Sequence, residues 1–362
     1  MQTHLVKTTL NINTQFFTFP AILFVPTWAK GYKCEAGKCG LCCLTAKPPK
    51  NVPQQPIAQL DRSICAHYDI KQKLCKKHTE RPSVCKAYPF IFGVEDGKIL
   101  ISTSLECPAT NRKTSIEPKV LQEIFETPVY SRQLTLMNDC YEHAILSPSL
   151  WRDANHIQHT LTKQFQHFFS RKTEFPFLSE FQDTITDTVT KSFRTKIKIP
   201  PTPPIAKLVS RQAGIYIATR FESQDICWLK VNGSKTTMIL FDENLKPKKT
   251  VKMKTPTKSL NLEIERPAHK LLNDYVSLIC NRPFLSLAAI TCTTIKPRPA
   301  PMYLLRTLAS SFLPIEIGAT LIATRDKLKA IDRDTMREII SFCEALMIGT
   351  FRRPDTATHG VR

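Results

Sequence analysis

The sequence predicts an α+β chain. A small cysteine-rich metal-binding domain comes first, then a helical region, then an antiparallel sheet with helices. Three observations predict this order. Eight of the thirteen cysteines fall between Cys34 and Cys107. Apolar residues at helical spacing run through residues 117–195. Further on, two strand-like runs flank Asn232-Gly233, a hairpin turn signal.

At 362 residues the chain is long enough for two or three domains, each with a core. Glycine is scarce at 10 and proline abundant at 26, which favours defined turns over flexible tracts. The formal charge of +20 draws such a chain toward nucleic acid, anionic lipid or acidic protein surfaces. No nucleic-acid recognition motif accompanies that charge.

Residues 1–30 read as an apolar extension. The run Phe16 to Trp28 is interrupted by Pro20 and Pro26 and has no basic n-region, so it reads as a buried strand and not as a secretory signal. Like Phe284 to Ile295, it is too short to span a bilayer. The expectation is a cytoplasmic protein without a membrane span. In that compartment clustered cysteines point to metal or redox chemistry, not to disulfides.

The cysteine domain is expected over residues 31–112. Cys39, Cys42 and Cys43 are spaced i, i+3 and i+4, so a helical turn would present all three on one face. Gly37 and Gly40 permit tight turning, and Cys34 joins from the preceding loop. The proline-rich stretch Lys47 to Pro56 predicts a loop before Cys65 and Cys75. Pro82 suits the opening of a short helical turn that presents Cys85. Pro89 to Val94 and Lys98 to Leu105 are strand-like around Asp96-Gly97. A hairpin there returns Cys107 to the neighbourhood of Cys85. Thiolates suit zinc or an iron–sulfur cluster, and either takes four ligands. Eight cysteines supply one site with spares, or two sites. Lys33, Lys38, Lys71, Lys73, Lys76, Lys77, Arg81 and Lys86 would stabilise the gathered thiolates.

These residues resemble the YkgJ-like cysteine-cluster family, described as a zinc- or iron-chelating domain. The resemblance rests on Cys39-Gly40 before the doublet Cys42-Cys43, then Cys65, then Cys75 ahead of Arg81-Pro82-x-x-Cys85-x-x-Tyr88-Pro89-Phe90. It covers residues 31–110. A related cluster in flagellin lysine N-methylases is thought to hold an iron–sulfur centre. By position the resemblance assigns Cys34, Cys39, Cys42, Cys43, Cys65, Cys75 and Cys85 as ligands, with Cys107 matching a frequent later cysteine. The first cysteine gap is longer than the commoner family form. His78 stands where a tyrosine is usual, a replacement that either adds a ligand or is neutral, and it reads as neutral. The spacing from Cys34 to Cys42 also matches plant-type ferredoxins, but that pattern leaves Cys43, Cys65 and Cys85 unexplained.

Residues 113–199 are expected to be helical. Pro118 suits a first turn before Val120 and Ile124. Ile157, Leu161, Phe165, Phe168 and Phe169 form one stripe. His156 and His159, with His143 and His167 nearby, lie off the centre of that stripe and read as solvated. Pro200, Pro201, Pro203 and Pro204 make a stiff linker. An α+β domain is expected over 205–352, with a sheet in 212–265. Its clearest helix runs from Asp332 to Thr350, where Met336, Ile339, Ile340, Cys343 and Met347 share a face. Cys227, Cys280, Cys292 and Cys343 read as small core residues and Cys140 as a surface thiol. The six lysines from Lys246 to Lys258 fit a phosphate-tracking face or a charged edge strand that discourages aggregation, and they read as the edge strand.

The chain shows no phosphate-cradling glycine loop, nucleophile elbow or methyl-donor fingerprint. The function expected from sequence is metal binding by the cysteine cluster, as zinc or an iron–sulfur centre. Two alternatives stand beside it: a lysine methylase resembling the flagellin modifiers, and a basic nucleic-acid-binding protein with a structural zinc.

Overall fold

A computed structural model describes residues 5–15, 17–29, 31, 43–44, 53–57, 62–95, 97–111, 115–145, 148–193, 214–220, 223–242, 244–282 and 300–351. The chain opens with β1 (Leu5–Asn13) and β2 (Thr18–Pro26), which form an antiparallel hairpin. Four short strands follow within the cysteine segment. These are β3 (Gln54–Ile57), β4 (Arg62–Cys65), β5 (Tyr68–Asp69) and β6 (Leu74–Cys75). Next come the short helix α1 (Ser83–Ala87) and the hairpin β7 (Phe90–Glu95) and β8 (Lys98–Thr103). The expected turn is present, with Gly97 at φ 64, a left-handed conformation that glycine adopts without cost.

The N-terminal segment belongs to the same sheet as that hairpin, in the order β1-β2-β8-β7. The strand β2 pairs in parallel with β8, so the cysteine segment as far as Cys85 lies in the connection between neighbouring strands, and Cys107 follows the second of them. The apolar run that reads as a buried strand has two faces to cover. Phe19, Ala21, Leu23 and Val25 enter one core, and Phe24 enters another. Successive side chains on a strand point to opposite faces, so a strand covered on both sides is apolar throughout.

The helices α2 (Pro118–Phe125) and α3 (Pro128–Ile145) cover the first face. Then come α4 (Pro148–Arg171), the short strand β9 (Glu174–Phe175) and α5 (Leu178–Phe193). Phe165, Phe168 and Phe169 of α4 are buried as their spacing requires. They meet Phe177, Phe181 and Phe312 with ring centroids 5.0–6.3 Å apart, as in Phe165–Phe181 and Phe168–Phe177. Edge-on and tilted ring pairs dominate, the arrangement that aromatic quadrupoles favour. The side chains of Ile157 and Leu161 and the linker prolines fall outside the described structure.

An antiparallel meander then runs β10 (Gly214–Arg220), β11 (Ser223–Asn232), β12 (Lys235–Phe241) and β13 (Pro247–Lys254). The turn between β11 and β12 sits one residue later than the sequence signal, because Asn232 pairs with Lys235 across Gly233-Ser234. Gly233, at φ 57, supplies the left-handed residue. The lysine-rich run is an edge strand, as expected. The strand β14 (Leu262–Ile264) pairs antiparallel with β9 and parallel with β15 (Ala330–Ile331). Among the described residues three helices follow: α6 (Arg266–Asn281), α7 (Ala300–Asp326) and α8 (Arg333–Phe351).

The sequence reading gave α8 one apolar face. The structure encloses it all round, and every residue from Thr335 to Glu344 is buried. It packs against α6, α7 and β10. At Gly318 of α7 an added Cβ would stand 2.8 Å from the Phe342 ring of α8, so glycine permits that close approach. Charged groups enclosed with the helix are paired. Arg325 donates two bonds to Glu338, at 2.6 and 2.9 Å. Arg282 donates two to Glu344, at 2.7 and 2.8 Å. Glu316 of α7 accepts from the Phe177 and Leu178 backbone N–H groups at 3.0 and 2.8 Å and so caps the start of α5.

Removing one partner of a buried ion pair leaves an uncompensated charge. Glu344→Ala is therefore expected to cost about 3–5 kcal/mol in urea unfolding, whereas the double change Arg282→Met with Glu344→Leu costs much less. A double variant that loses the sum of the two single losses would show that the pair does not act as a unit.

Candidate metal centre

Five of the eight predicted ligands fall among the described residues, and two of them, Cys65 and Cys75, end short strands. Cys65 closes β4, where its backbone lies opposite Gln54. The Gln55 side-chain amide donates to the carbonyls of Cys65 and Tyr68 at 3.2 and 2.8 Å, locking the corner between β4 and β5. Cys75 ends β6 opposite Tyr68. One step further, the Lys76 N–H donates to the His67 carbonyl at 2.8 Å. The two chains then leave the ladder at the same end. One leads back to Cys65 and the other forward to His78.

Cys85 sits in the middle of α1, and its N–H donates to the Pro82 carbonyl at 2.8 Å. Cys107 is buried just after β8. Its carbonyl accepts from the Thr110 N–H and hydroxyl at 3.1 and 2.7 Å. Phe90 pairs with Thr103, and the Ser104 N–H extends the ladder to the Pro89 carbonyl at 2.7 Å. Cys85 and Cys107 therefore flank the open end of one hairpin, as the spacing on either side of Asp96-Gly97 requires.

Cys43 has helical backbone and packs with Leu44 against Ile64, Tyr68, Ile226 and Phe241. Cys34, Cys39 and Cys42 lie outside the described residues. Among the described residues, no three His, Cys, Asp or Glu side chains come together as a metal-binding group. The loop expected over Lys47 to Pro56 ends early, because Gln54–Ile57 is a strand. Pro56 is tolerated there because a two-stranded ladder has an outer edge that needs no donor.

From sequence His78 reads as neutral, with an added ligand as the alternative, and its surroundings favour the alternative. The residue is half-buried, yet its Nε2 is shielded from solvent and has no hydrogen-bond partner. Burial pushes the imidazole pKa below its usual value, and the nearby Arg81 charge adds to the shift. The neutral ring then holds a lone pair or an N–H in an enclosed place with nothing to receive it, which costs free energy. The signal in the sequence was the substitution itself, a histidine three residues after Cys75. Thiolates with one imidazole fit the donor preferences of zinc, and thiolates alone also fit an iron–sulfur cluster.

The remaining cysteines and histidines behave differently. Cys227, Cys280 and Cys343 are core residues, as their apolar surroundings predict. Burial pushes the Cys280 thiol up to about 12, and burial next to Glu344 pushes Cys343 up as well. His159 and His167 are exposed on α4, as expected of solvated positions. Cys140, Cys292 and the side chains of His143 and His156 lie outside the description. Among the described residues, no helix is long and apolar enough to cross a membrane.

A thiol reacts as its thiolate. Iodoacetamide at pH 8, with chelator present, is therefore expected to label Cys65 and Cys75 in the native protein. Cys280 and Cys343 react only after denaturation, a contrast that peptide mapping by mass spectrometry reads directly.

No protein-family model matches the chain, and no curated protein or solved structure matches it either.

Proposed function

We propose that the cysteine segment is a metal centre that chelates zinc or an iron–sulfur cluster, and that the bound metal holds the segment in its fold. The observation that carries this reading is the enclosed, unpartnered Nε2 of His78, at the same ladder end from which the chain leads to Cys65. A buried polar atom without a partner calls for one, and a metal ion is a partner suited to a neutral imidazole among thiols. The ligands are drawn from Cys34, Cys39, Cys42, Cys43, Cys65, Cys75, Cys85 and Cys107, with His78 as a nitrogen donor.

The composition of the segment supports a structural role. Among the described residues between Gly31 and Pro89, the large buried apolar side chains are Leu44, Ile64 and Tyr68. Its ladders are two to four residues long. So small an apolar contribution cannot order this length of chain, and metal binding would then contribute directly to folding. Bound metal would supply fixed ligand geometry. The lysines around it would offset the negative charge of the thiolates.

Metal analysis and a visible spectrum on anaerobically purified protein test the proposal. Iron with an equal amount of acid-labile sulfide identifies a cluster, and a colourless zinc protein identifies a staple. Cys42→Ser and Cys85→Ser are expected to lose metal and to open the segment to limited proteolysis. Cys343→Ser keeps its metal. His78→Ala lowers affinity in a chelator competition, and cobalt substitution of that variant loses the nitrogen contribution to the spectrum. Full metal content in both the Cys42 and Cys85 variants would overturn the ligand assignment.

A further inference from the structure

The outer face of the β10–β13 sheet is divided in two. At one end Ile226 and Phe241 are buried with Leu44, Ile64 and Tyr68 of the cysteine segment. Beyond them the cross-strand register sets three rows side by side. Trp228 lies beside Ile239 and Thr250, Lys230 beside Thr237 and Lys252, and Asn232 beside Lys235 and Lys254. Directly opposed residues share a face, as do residues two apart on a strand. The nine positions thus form one surface, continuous with the edge of the cysteine segment. Leu229, Met238 and Met253 point the other way, into the central core.

Lys230, Lys235, Lys252 and Lys254 are exposed, and Trp228 is half-buried. The nine positions include no aspartate or glutamate. The Lys230 ammonium lies 5.5 Å from the Trp228 ring centre. Edge protection accounts for lysines on β13 but not for Lys230 and Lys235, which stand on the inner strands β11 and β12. Two other lysines of the run are committed elsewhere, Lys248 to Asp225 at 2.9 Å and Lys249 to Asp326 at 2.7 Å.

We propose that this face binds single-stranded nucleic acid, with the lysines on the phosphates and Trp228 stacking on a base. Charge complementarity selects a polyanion, since four ammonium groups share the surface with no carboxylate among them. Rows two residues apart are separated by about 6.8 Å along the strands, a step that suits successive phosphates of an extended strand. The aromatic ring selects a single strand, because a duplex offers no unstacked base. An anionic membrane would draw on the lysines equally but offers no base to stack on the part of the Trp228 ring left open where it packs, with Ile239, against the Leu44, Ile64 and Tyr68 cluster.

The test uses the full chain and a fluorescein-labelled uridine 20-mer, read by anisotropy across a salt series. Lys252→Ala with Lys254→Ala is expected to weaken binding about tenfold and to flatten the log–log salt slope by about 1.4, two phosphate contacts' worth for a single strand. Lys246→Ala with Lys258→Ala removes the same charge from the same run but off this face, and leaves both within about twofold. Trp228→Ala weakens binding about fivefold or more, with the slope unchanged. Matching thermal melts show that each variant is folded. The proposal is overturned if the 20-mer does not bind at low salt or if the two double variants weaken alike. Binding to phosphatidylserine vesicles without binding to the oligonucleotide would overturn it as well.

Discussion

The Arg282–Glu344 pair is the constraint on which the arrangement depends. Both side chains are sealed from solvent. Burial alone would lower the Arg282 pKa, and the adjacent carboxylate more than reverses this, so the guanidinium stays charged. Glu344 also accepts from the Tyr275 hydroxyl at 3.0 Å and from the Leu105 N–H at 3.1 Å. Arg282 donates to the Thr103 carbonyl at 3.1 Å. One ion pair therefore ties α6 and α8 to the end of β8. Such a cluster contributes little net stability compared with apolar packing, but it is satisfied in only one arrangement of its members. The cost of misplacing any of them fixes how the C-terminal helices sit against the N-terminal sheet.

That anchorage bears on the cysteine segment. Leu105, held by Glu344, lies two residues before Cys107. The segment leaves the sheet after β2 and returns to it at β7, so both of its ends are held by strands with buried faces. The middle has little apolar content of its own and leans on Ile226 and Phe241 of the second sheet. A region tied at both ends and supported on one side is suited to ligands that must converge from distant parts of the sequence. The hairpins shorten those distances, and the proposed metal closes what the hairpins leave open.

The same meander serves two neighbours. Its inner face supplies Cys227, Leu229 and Met238 to the central core, and its outer face carries the cysteine segment beside a field of lysines. The high positive charge of the chain is thus not spread evenly. Some lysines are paired with aspartates, and others are aligned by strand register into rows. Alignment rather than number separates a candidate binding face from a merely soluble one, since phosphates along a strand are regularly spaced.

The sequence by itself determined the local elements. The turn glycines Gly97 and Gly233, the strand-like runs of β7 and β8 and the helical phenylalanines of α4 are short-range signals, and the elements formed at those places, with the second turn one residue later. The hairpin whose open end separates Cys85 from Cys107 was legible for the same reason. Only the tertiary structure decided which strands became neighbours and which charges went inside. No local pattern marks Arg282, Glu316, Glu338 or Glu344 as buried, because each is satisfied by a partner from another element. Nor does any local pattern show that residues 5–26 complete the sheet of residues 90–103, or that His78 has an enclosed nitrogen. Those facts follow from contacts between residues far apart in the chain, and such contacts exist only once the chain has packed.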